Sequence, residues 1–312
     1  MKDFQFLNKI PQRVYFVVFP LFLFLLFLLL FLISSALKIW IIENKILPVP
    51  FSVSPEAKFP IIKTEFVPVI SATGAIIMDA DSKVVLYSKN PDLRFSTAST
   101  AKIMTALTSL DYFKPADILT VKRATDEGSV LGLKEGEQMT FENLLYAMLL
   151  PSANDAALTI ADNYPGGEKA FVIKMNEKAK MLKLYNTNYS DPAGLIDSGD
   201  FTTPFDLSRL ASFALKNNTL KKIVATKEKT IYDLSGVYVY NLSNLNKLLG
   251  IDGVNGVKTG YTQEAGQVLV TSKEEKGKTI IIVVMGSEDR FSDTFKLLDL
   301  VSNNLTYLSI HP

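Results

Sequence analysis

The sequence lacks cysteine and has a single histidine, His311, which is the penultimate residue. The absence of cysteine excludes disulfides, a thiol nucleophile and a cysteine-ligated zinc ion. A Ser-His-Asp triad needs an oriented imidazole, and a zinc hydrolase usually needs two or three histidines, so a lone residue at a chain end suits neither. A hydrolase of this composition must take its general base from another residue type.

An excess of charge of one sign is also missing. Lys and Arg total 33 and Asp and Glu total 32 among 312 residues, which gives a formal net charge of +1. A general nucleic-acid-binding surface needs a basic excess, so no nucleic acid partner is expected. The length is sufficient for one large domain or two small ones.

The N-terminal region contains a long uncharged run, residues 14–37. As a helix this run would span roughly 36 Å, enough to cross a hydrocarbon core of ~30 Å. We predict a cytoplasmic tail at 1–13 and a transmembrane signal-anchor at 14–42, because Lys2, Lys9 and Arg13 precede the run. The remainder would then lie outside the cytoplasm, in a single-pass protein. The alternative is a signal peptide cleaved near Ser34-Ser35-Ala36, which would release a secreted protein.

Proline is concentrated after the apolar run. Residues 43–64 contain Pro48, Pro50, Pro55 and Pro60. Proline at this density disfavours the interior of helices and sheets, so this segment is predicted to be an extended linker. The folded domain is expected to occupy residues 65–312.

Within that domain, strand patterns lie at both ends and helix patterns lie between them. Alternating or β-branched runs separated by short turns predict three hairpins, at 74–79 with 84–88, 230–234 with 237–240, and 267–271 with 279–285. Helical spacing and caps predict six helices, at 99–112, 140–150, 155–164, 168–183, 204–215 and 291–308. Because hairpins make antiparallel sheets, the expected fold class is α/β (α+β): an antiparallel sheet flanked by helices, with an inserted helical subdomain.

The first candidate site is Ser99-Thr100-Ala101-Lys102. If Ser99 begins a helix, Lys102 lies three residues later on the same face, within hydrogen-bond reach. Burial and the positive end of the helix dipole both disfavour the charged form of lysine, and a neutral amine is a competent general base. The motif is weak alone, because a surface lysine one turn into a helix has the same spacing.

Two further tripeptides strengthen this interpretation. Ser152-Ala153-Asn154 follows Pro151 in a break between two predicted helices, and Lys258-Thr259-Gly260 lies at a predicted strand. S-x-x-K, an S-D-N-type triplet and K-T-G in this order are the signature of penicillin-binding proteins and class A β-lactamases.

With these three motifs, the sequence resembles the D-alanyl-D-alanine carboxypeptidases, the low-molecular-mass penicillin-binding proteins of serine peptidase family S11. The resemblance covers roughly residues 65–308 and extends to other segments, at 74–79, 94–99, 191–195, 244–249 and 256–266. It implies a β-lactamase/transpeptidase-like fold and no metal or organic cofactor. It also implies a peptidoglycan stem peptide ending in D-Ala-D-Ala as substrate and β-lactams as covalent inhibitors. With the anchor predicted at 14–42, the expected location is the bacterial cytoplasmic membrane, with the catalytic domain on its outer face.

The resemblance also implies roles for four catalytic residues. Ser99 would attack the carbonyl between the two D-alanines and become the acyl-enzyme, and Lys102 would accept its proton. Ser152 would relay a proton to the leaving nitrogen. Asn154 would orient Lys102 and the substrate amide.

The third motif would bind the substrate. Lys258 would hold the substrate carboxylate and tune Ser152, and Thr259 would hydrogen-bond the same carboxylate. Gly260 would leave room for the substrate backbone along the strand edge. The backbone N–H groups of Ser99 and Tyr261 would form the oxyanion hole.

Three other functions remain open from the sequence. A DD-endopeptidase acting on cross-linked peptidoglycan would use the same residues. A class A-like β-lactamase is disfavoured, because 191–195 lacks the expected acid-x-x-x-Asn pattern and Ala153 replaces the usual aspartate. A β-lactam sensor or inactive scaffold would share the fold without turnover.

Overall fold

The computed structural model describes residues 22–35, 57–64, 67–196 and 198–310. The chain divides into two compact units, Met1–Glu56 with Pro312, and Ala57–His311. In the first unit the described residues form helix α1, residues 22–35, whose leucine and phenylalanine side chains are exposed. Among the ranges given above, no helix has both the length and the hydropathy for a membrane span. Most of the predicted anchor, 14–42, and all of the predicted tail, 1–13, lie outside the described residues.

The second unit contains eleven described strands, numbered in chain order. They are β1 Ala57–Ile62, β2 Gly74–Asp79, β3 Val85–Lys89, β4 Ile118–Thr120, β5 Gln138–Thr140, β6 Glu228–Tyr232, β7 Val239–Ser243, β8 Val254–Thr262, β9 Gly266–Glu275, β10 Lys278–Ser287 and β11 Leu305–Ile310. A five-stranded sheet has the order β3-β2-β10-β9-β8, and β1-β11, β4-β5 and β6-β7 form two-stranded sheets. The pairings within these sheets are antiparallel, as predicted.

Seven described helices accompany the strands of this unit. They are α2 Ala101–Ser109, α3 Phe141–Leu149, α4 Asn154–Asn163, α5 Gly167–Met181, α6 Pro204–Ala214, α7 Asn218–Val224 and α8 Arg290–Asn304. Helices α2 to α7 lie between β3 and β8 in the chain, which confirms the predicted helical insertion. Thr203 caps α6 by accepting an N–H bond from Asp206, as its sequence predicts. Thr140 caps α3 in the same way by accepting from Asn143.

The central sheet separates two apolar cores. Successive residues of a strand point to opposite faces, so Ile76 and Val283 belong to the core shared with α2–α6, while Ile77 and Ile282 belong to the core beneath α8. Because both faces are covered, the inner strands are apolar without alternation, and β2 is buried along its whole length.

The chain ends of this unit differ from the sequence prediction. The predicted linker, 43–64, includes strand β1, so the folded unit begins at Ala57 rather than near residue 65. The last predicted helix, 291–308, ends at Asn304, and Leu305 begins β11, which pairs with β1. This pairing joins segments almost the whole domain apart, which local sequence patterns do not report. Helix α7 and the β4-β5 pair were not predicted.

Candidate active site

Ser99 lies in a 3-10 turn, Ala98–Thr100, immediately before α2, rather than as the first residue of the α-helix. Ala98 has a φ of +44°, a left-handed conformation that alanine adopts only at an energetic cost. Gly260 on β8 packs against this turn: a Cβ there would lie 3.2 Å from the Ala98 Cβ and 3.4 Å from the Ser99 N. The glycine of the third motif therefore lets β8, an edge strand, approach the half-buried Ser99.

Lys102 occupies the first turn of α2 and its side chain is 0% exposed. Its Nζ lies 2.9 Å from Ser99 Oγ, 2.7 Å from Asn154 Oδ1 and 2.8 Å from the Ala193 carbonyl oxygen. Burial lowers the pKa of Lys102 to about 7, although the negative charges of Asp191 and Asp155 oppose this change. The alternative of a surface lysine is wrong, and the amine is half neutral near neutral pH.

The second motif forms the break between α3 and α4. Asn154 begins α4, and its side-chain Nδ2 donates to the Glu127 carbonyl oxygen at 2.7 Å while its Oδ1 accepts from Lys102. Ser152 has a φ of +68° and is buried, and within the described residues its Oγ has no hydrogen-bond partner. A buried hydroxyl in a strained turn without a partner is unusual in a folded protein and is typical of a functional site.

The third motif lies on β8. The Lys258 Nζ is buried and donates to the Thr259 carbonyl oxygen at 2.9 Å, and this lysine forms no ion pair with a carboxylate in the described part of the chain. Burial lowers the pKa of Lys258 well below its ordinary value, and the positive charges of Lys102 and Arg290 lower it further. Lys258 does not donate to Ser152 Oγ, so the predicted influence of Lys258 on Ser152 is not exerted through a direct hydrogen bond in this structure. The Tyr261 side chain, in contrast, is exposed.

Arg290 is a residue that sequence reasoning missed. It begins α8, and its Nη1 donates to the Gly260 carbonyl oxygen at 2.8 Å. Burial lowers its pKa, and its charge acts on Lys258. Arg290 is 30 positions after Gly260, the last residue of the K-T-G motif, and no local sequence pattern connects the two. Only the packing of α8 on the sheet brings Arg290 to this site.

Asp191 is the second residue to which sequence reasoning assigned no role, although residues 191–195 are among the segments that carry the family resemblance. Its buried carboxylate accepts backbone N–H bonds from four successive residues, 193 to 196, at 2.6 to 2.9 Å. This loop carries the Ala193 carbonyl that accepts from Lys102. At Gly194, where φ is +74°, a Cβ would lie 1.8 Å from the Ala98 carbonyl oxygen. The loop therefore holds both the lysine and the turn that carries Ser99.

Replacing Asp191 with asparagine is expected to destabilise the fold by about 1–3 kcal/mol, because an amide nitrogen would face N–H donors that now bind a carboxylate. Urea denaturation of the purified protein measures this change. Asp299→Asn is the control, since Asp299 is exposed and a surface substitution usually changes stability by less than about 0.5 kcal/mol. Equal unfolding free energies for the two variants would contradict this account of the loop.

The comparisons with known proteins agree with this geometry. A family model described as D-alanyl-D-alanine carboxypeptidase, peptidase family S11, matches residues 62–289. A D-alanyl-D-alanine carboxypeptidase of Bacillus subtilis is 35% identical over 239 residues, which are 73% of this chain and 61% of the relative. A D-alanyl-D-alanine endopeptidase of Pseudomonas aeruginosa is 32% identical over 237 residues, 73% of this chain and 76% of the relative.

A solved structure extends the similarity to the fold. The Streptomyces K15 DD-transpeptidase superimposes with a TM-score of 0.72 at 34% identity, covering 75% of this chain and 98% of that one. The family model covers more than half of the chain, and the three motifs of this chain converge on one site. This chain therefore belongs to the S11 family of D-alanyl-D-alanine carboxypeptidases.

Proposed function

We propose that this chain is a serine-type D-alanyl-D-alanine carboxypeptidase that removes the terminal D-alanine from peptidoglycan stem peptides. The observation that carries the proposal is the buried Lys102 amine, with a pKa of about 7, placed 2.9 Å from Ser99 Oγ. A lysine in this state replaces the histidine that the sequence does not offer in its interior. The chain spans 61% of the length of its Bacillus subtilis relative, so this activity is proposed for the chain itself on its own site.

In the first half-reaction, Ser99 Oγ attacks the carbonyl carbon of the penultimate D-alanine while its proton passes to Lys102 Nζ. The backbone N–H groups of Ser99 and Tyr261 stabilise the oxyanion, a contribution of about 3–4 kcal/mol per donor in comparable sites. The C–N bond to the terminal D-alanine then breaks, and Ser152 relays a proton to the leaving nitrogen. The products are a peptidyl ester on Ser99 and free D-alanine.

In the second half-reaction, water attacks the ester carbonyl and gives its proton to Lys102, and the Ser99 oxygen leaves as a hydroxyl. Asn154 supports both steps, because its Oδ1 fixes Lys102 while the backbone of Glu127 fixes its Nδ2. A fixed amide keeps the lysine aimed at Ser99 and costs no reorganisation during the reaction.

The substrate carboxylate binds at Lys258 and Thr259. Lys258 lacks a carboxylate partner in the described residues, and its pKa is lowered by burial and by two nearby cations. An incoming carboxylate would raise the pKa of Lys258 and bind its protonated form. A site with the two cationic groups of Lys258 and Arg290 selects a substrate whose chain ends in a free carboxylate. β-Lactams, which carry an acylating carbonyl and a carboxylate, are expected to acylate Ser99 covalently.

Sustained β-lactam hydrolysis is disfavoured by the chemistry of the loop after α5. Two carboxylates of this loop are buried in the described residues, Asp191 and Asp200. Asp191 is occupied by four backbone N–H groups, and Asp200 accepts from the Thr97 hydroxyl, so both are engaged in holding the structure. We therefore expect the penicilloyl-enzyme to persist. Rapid and continuing penicillin turnover would favour the β-lactamase interpretation.

The second candidate function is DD-endopeptidase activity on cross-linked peptides, favoured by the similarity to a Pseudomonas aeruginosa protein of that name. The test is incubation of the full chain with purified muropeptides and mass analysis of the products. We expect free D-alanine from pentapeptide monomers. Conversion of cross-linked dimers to monomers without release of D-alanine would instead assign the endopeptidase activity.

The acylation rate is expected to rise with pH through about 7 and then to level off. Lys102 accepts a proton only when its amine is neutral, and the neutral fraction increases tenfold per pH unit below its pKa of about 7. The second-order rate of acylation by a fluorescent penicillin, measured from pH 5.5 to pH 9, reports the pKa in the free enzyme. A rate that is constant between pH 5.5 and pH 8 would exclude Lys102 as the base.

We also propose that residues 14–42 anchor the protein in the bacterial cytoplasmic membrane, with the catalytic domain outside. The support is the uncharged run 14–37, preceded by Lys2, Lys9 and Arg13, and a substrate that lies in the cell wall. Fractionation with an N-terminal tag tests this: tag and domain are expected together in the membrane pellet after carbonate washing. A soluble domain without the tag would assign a cleaved signal peptide.

A further inference from the structure

A second concave site lies away from Ser99, between β5 and the turn of the β6-β7 hairpin. It is a cavity of about 400 Å³, lined among others by Lys134, Glu137, Gln138, Asp233, Ser235 and Tyr238. We propose that this cavity and the exposed side chains around it bind the glycan strand to which the stem peptides are attached. This inference rests on the proposed function, because it identifies the part of the polymer next to the peptide.

The walls of the cavity carry polar groups whose positions are fixed by internal hydrogen bonds. The Asp233 carboxylate accepts from the backbone N–H groups of Ser235 and Tyr238, and so holds the turn. Glu137 accepts from the Tyr240 hydroxyl and from the Lys134 backbone N–H. These two carboxylates are occupied by hydrogen bonds from the hairpin and from the segment before β5, so they shape the cavity. A pre-organised polar cavity suits a neutral ligand rich in hydroxyl and amide groups, because little ordering is needed on binding.

The turn of the hairpin also presents apolar surface to solvent. Tyr232 is 53% exposed, Leu234 55% and Tyr238 43%. A fold in which three large apolar side chains of one short hairpin lie open to water usually uses them for binding. Tyrosine combines a flat apolar face with a hydroxyl and loses little conformational entropy when it makes contacts. Pyranose rings, which have a C–H face and a polar rim, match both properties.

The position of the hairpin relates this cavity to the reactive serine. At one end of α3, the Asn143 Nδ2 donates to the Tyr232 carbonyl oxygen, and at the other the Leu245 N–H donates to the Leu150 carbonyl oxygen. The hairpin therefore runs beside α3 from the cavity toward the segment that carries Ser152. A nine-residue helix is about 13 Å long, and four residues of an extended peptide span about 14 Å. A pentapeptide has four residues between its sugar and the bond that Ser99 attacks. The length of this part of the peptide therefore matches the length of α3.

The experiment compares two substrates, free pentapeptide and the same pentapeptide on an N-acetylglucosaminyl-N-acetylmuramyl disaccharide, with the full chain. For the double variant Tyr232→Ala/Tyr238→Ala, the ratio of kcat/KM on the disaccharide substrate to kcat/KM on free peptide is expected to fall about fivefold or more, as the loss of a good contact typically causes. Tyr185→Ala removes a tyrosine that is also exposed but lies in the segment after α5, and should leave the ratio at the wild-type value. A ratio within twofold of wild type in the double variant would overturn the proposal.

A direct binding measurement separates this proposal from the proposed function. The probe is the β-1,4-linked N-acetylglucosamine tetrasaccharide, which has no peptide and is followed by NMR chemical-shift changes. Shifts at the β6-β7 turn that disappear in the double variant support the glycan site even if neither peptide substrate releases D-alanine. An absence of shifts at this turn in the wild-type protein at millimolar sugar would refute it, whatever the peptidase activity.

Discussion

Ser99→Ala is expected to abolish covalent labelling by penicillin and to reduce D-alanine release by about 10⁴-fold or more, as removal of a nucleophile does in other serine hydrolases. Ser99 is the hydroxyl held at 2.9 Å from the Lys102 amine, at a turn where β8 also approaches. Labelling is measured on a gel with a fluorescent penicillin, and D-alanine release with the pentapeptide.

The matched control for this variant is Ser109→Ala, at the last residue of α2, the helix that follows the Ser99 turn. Ser109 is buried and its Oγ donates to the Ala106 carbonyl oxygen, so it loses one local hydrogen bond and nothing near Lys102. We expect it to retain labelling. Persistent labelling of Ser99→Ala would move the nucleophile elsewhere, and Ser152, with its buried hydroxyl lacking a partner in the described residues, would be the next residue to test.

Lys102→Met is expected to slow acylation by about 10²–10⁴-fold, the usual contribution of a general base. Methionine occupies a similar volume and cannot accept the Ser99 proton. Two effects on the stability of the fold oppose each other. The Asn154 and Ala193 oxygens lose the donor that Lys102 supplies, which destabilises the fold, but the variant also removes an amine whose burial is unfavourable. Acylation rates at pH 8, together with thermal unfolding, separate loss of the base from loss of the fold.

Lys273→Met is the matched control, because Lys273 is a buried lysine of the described residues that lies away from this site. Its ammonium lies 2.6 Å from Asp252 and 3.1 Å from Glu275, so it is paired. Removing it should cost about 1–3 kcal/mol, less than for a fully buried pair because Asp252 is partly exposed. We expect the opposite pattern from Lys102→Met, with stability lost and acylation kept. An identical profile for the two variants would contradict the assignment of Lys102.

Local patterns predicted the elements whose causes are local. The hairpin of β2 and β3, the cap of α6 at Thr203 and the break at Ser152 each depend on residues that are neighbours in the chain. The end of the last helix was predicted poorly because β11 forms only by pairing with β1, some 250 positions earlier. Strand pairing at such a separation depends on tertiary contacts that no short window contains.

The sequence by itself determined the chemistry of the site. A chain without cysteine and with one terminal histidine must take its general base from another residue type. The family resemblance carried by the three motifs then predicts Ser99, Lys102, Asn154 and Lys258 as members of the site. Only the tertiary structure decided the pKa values of those groups and which other residues surround them. Complete burial of Lys102 lowers its pKa to about 7, and the Asp191 loop and Arg290 converge on the site from distant segments. Residue types and spacing specify which groups can react, but pKa values depend on desolvation and nearby charge, which exist only once the chain is packed.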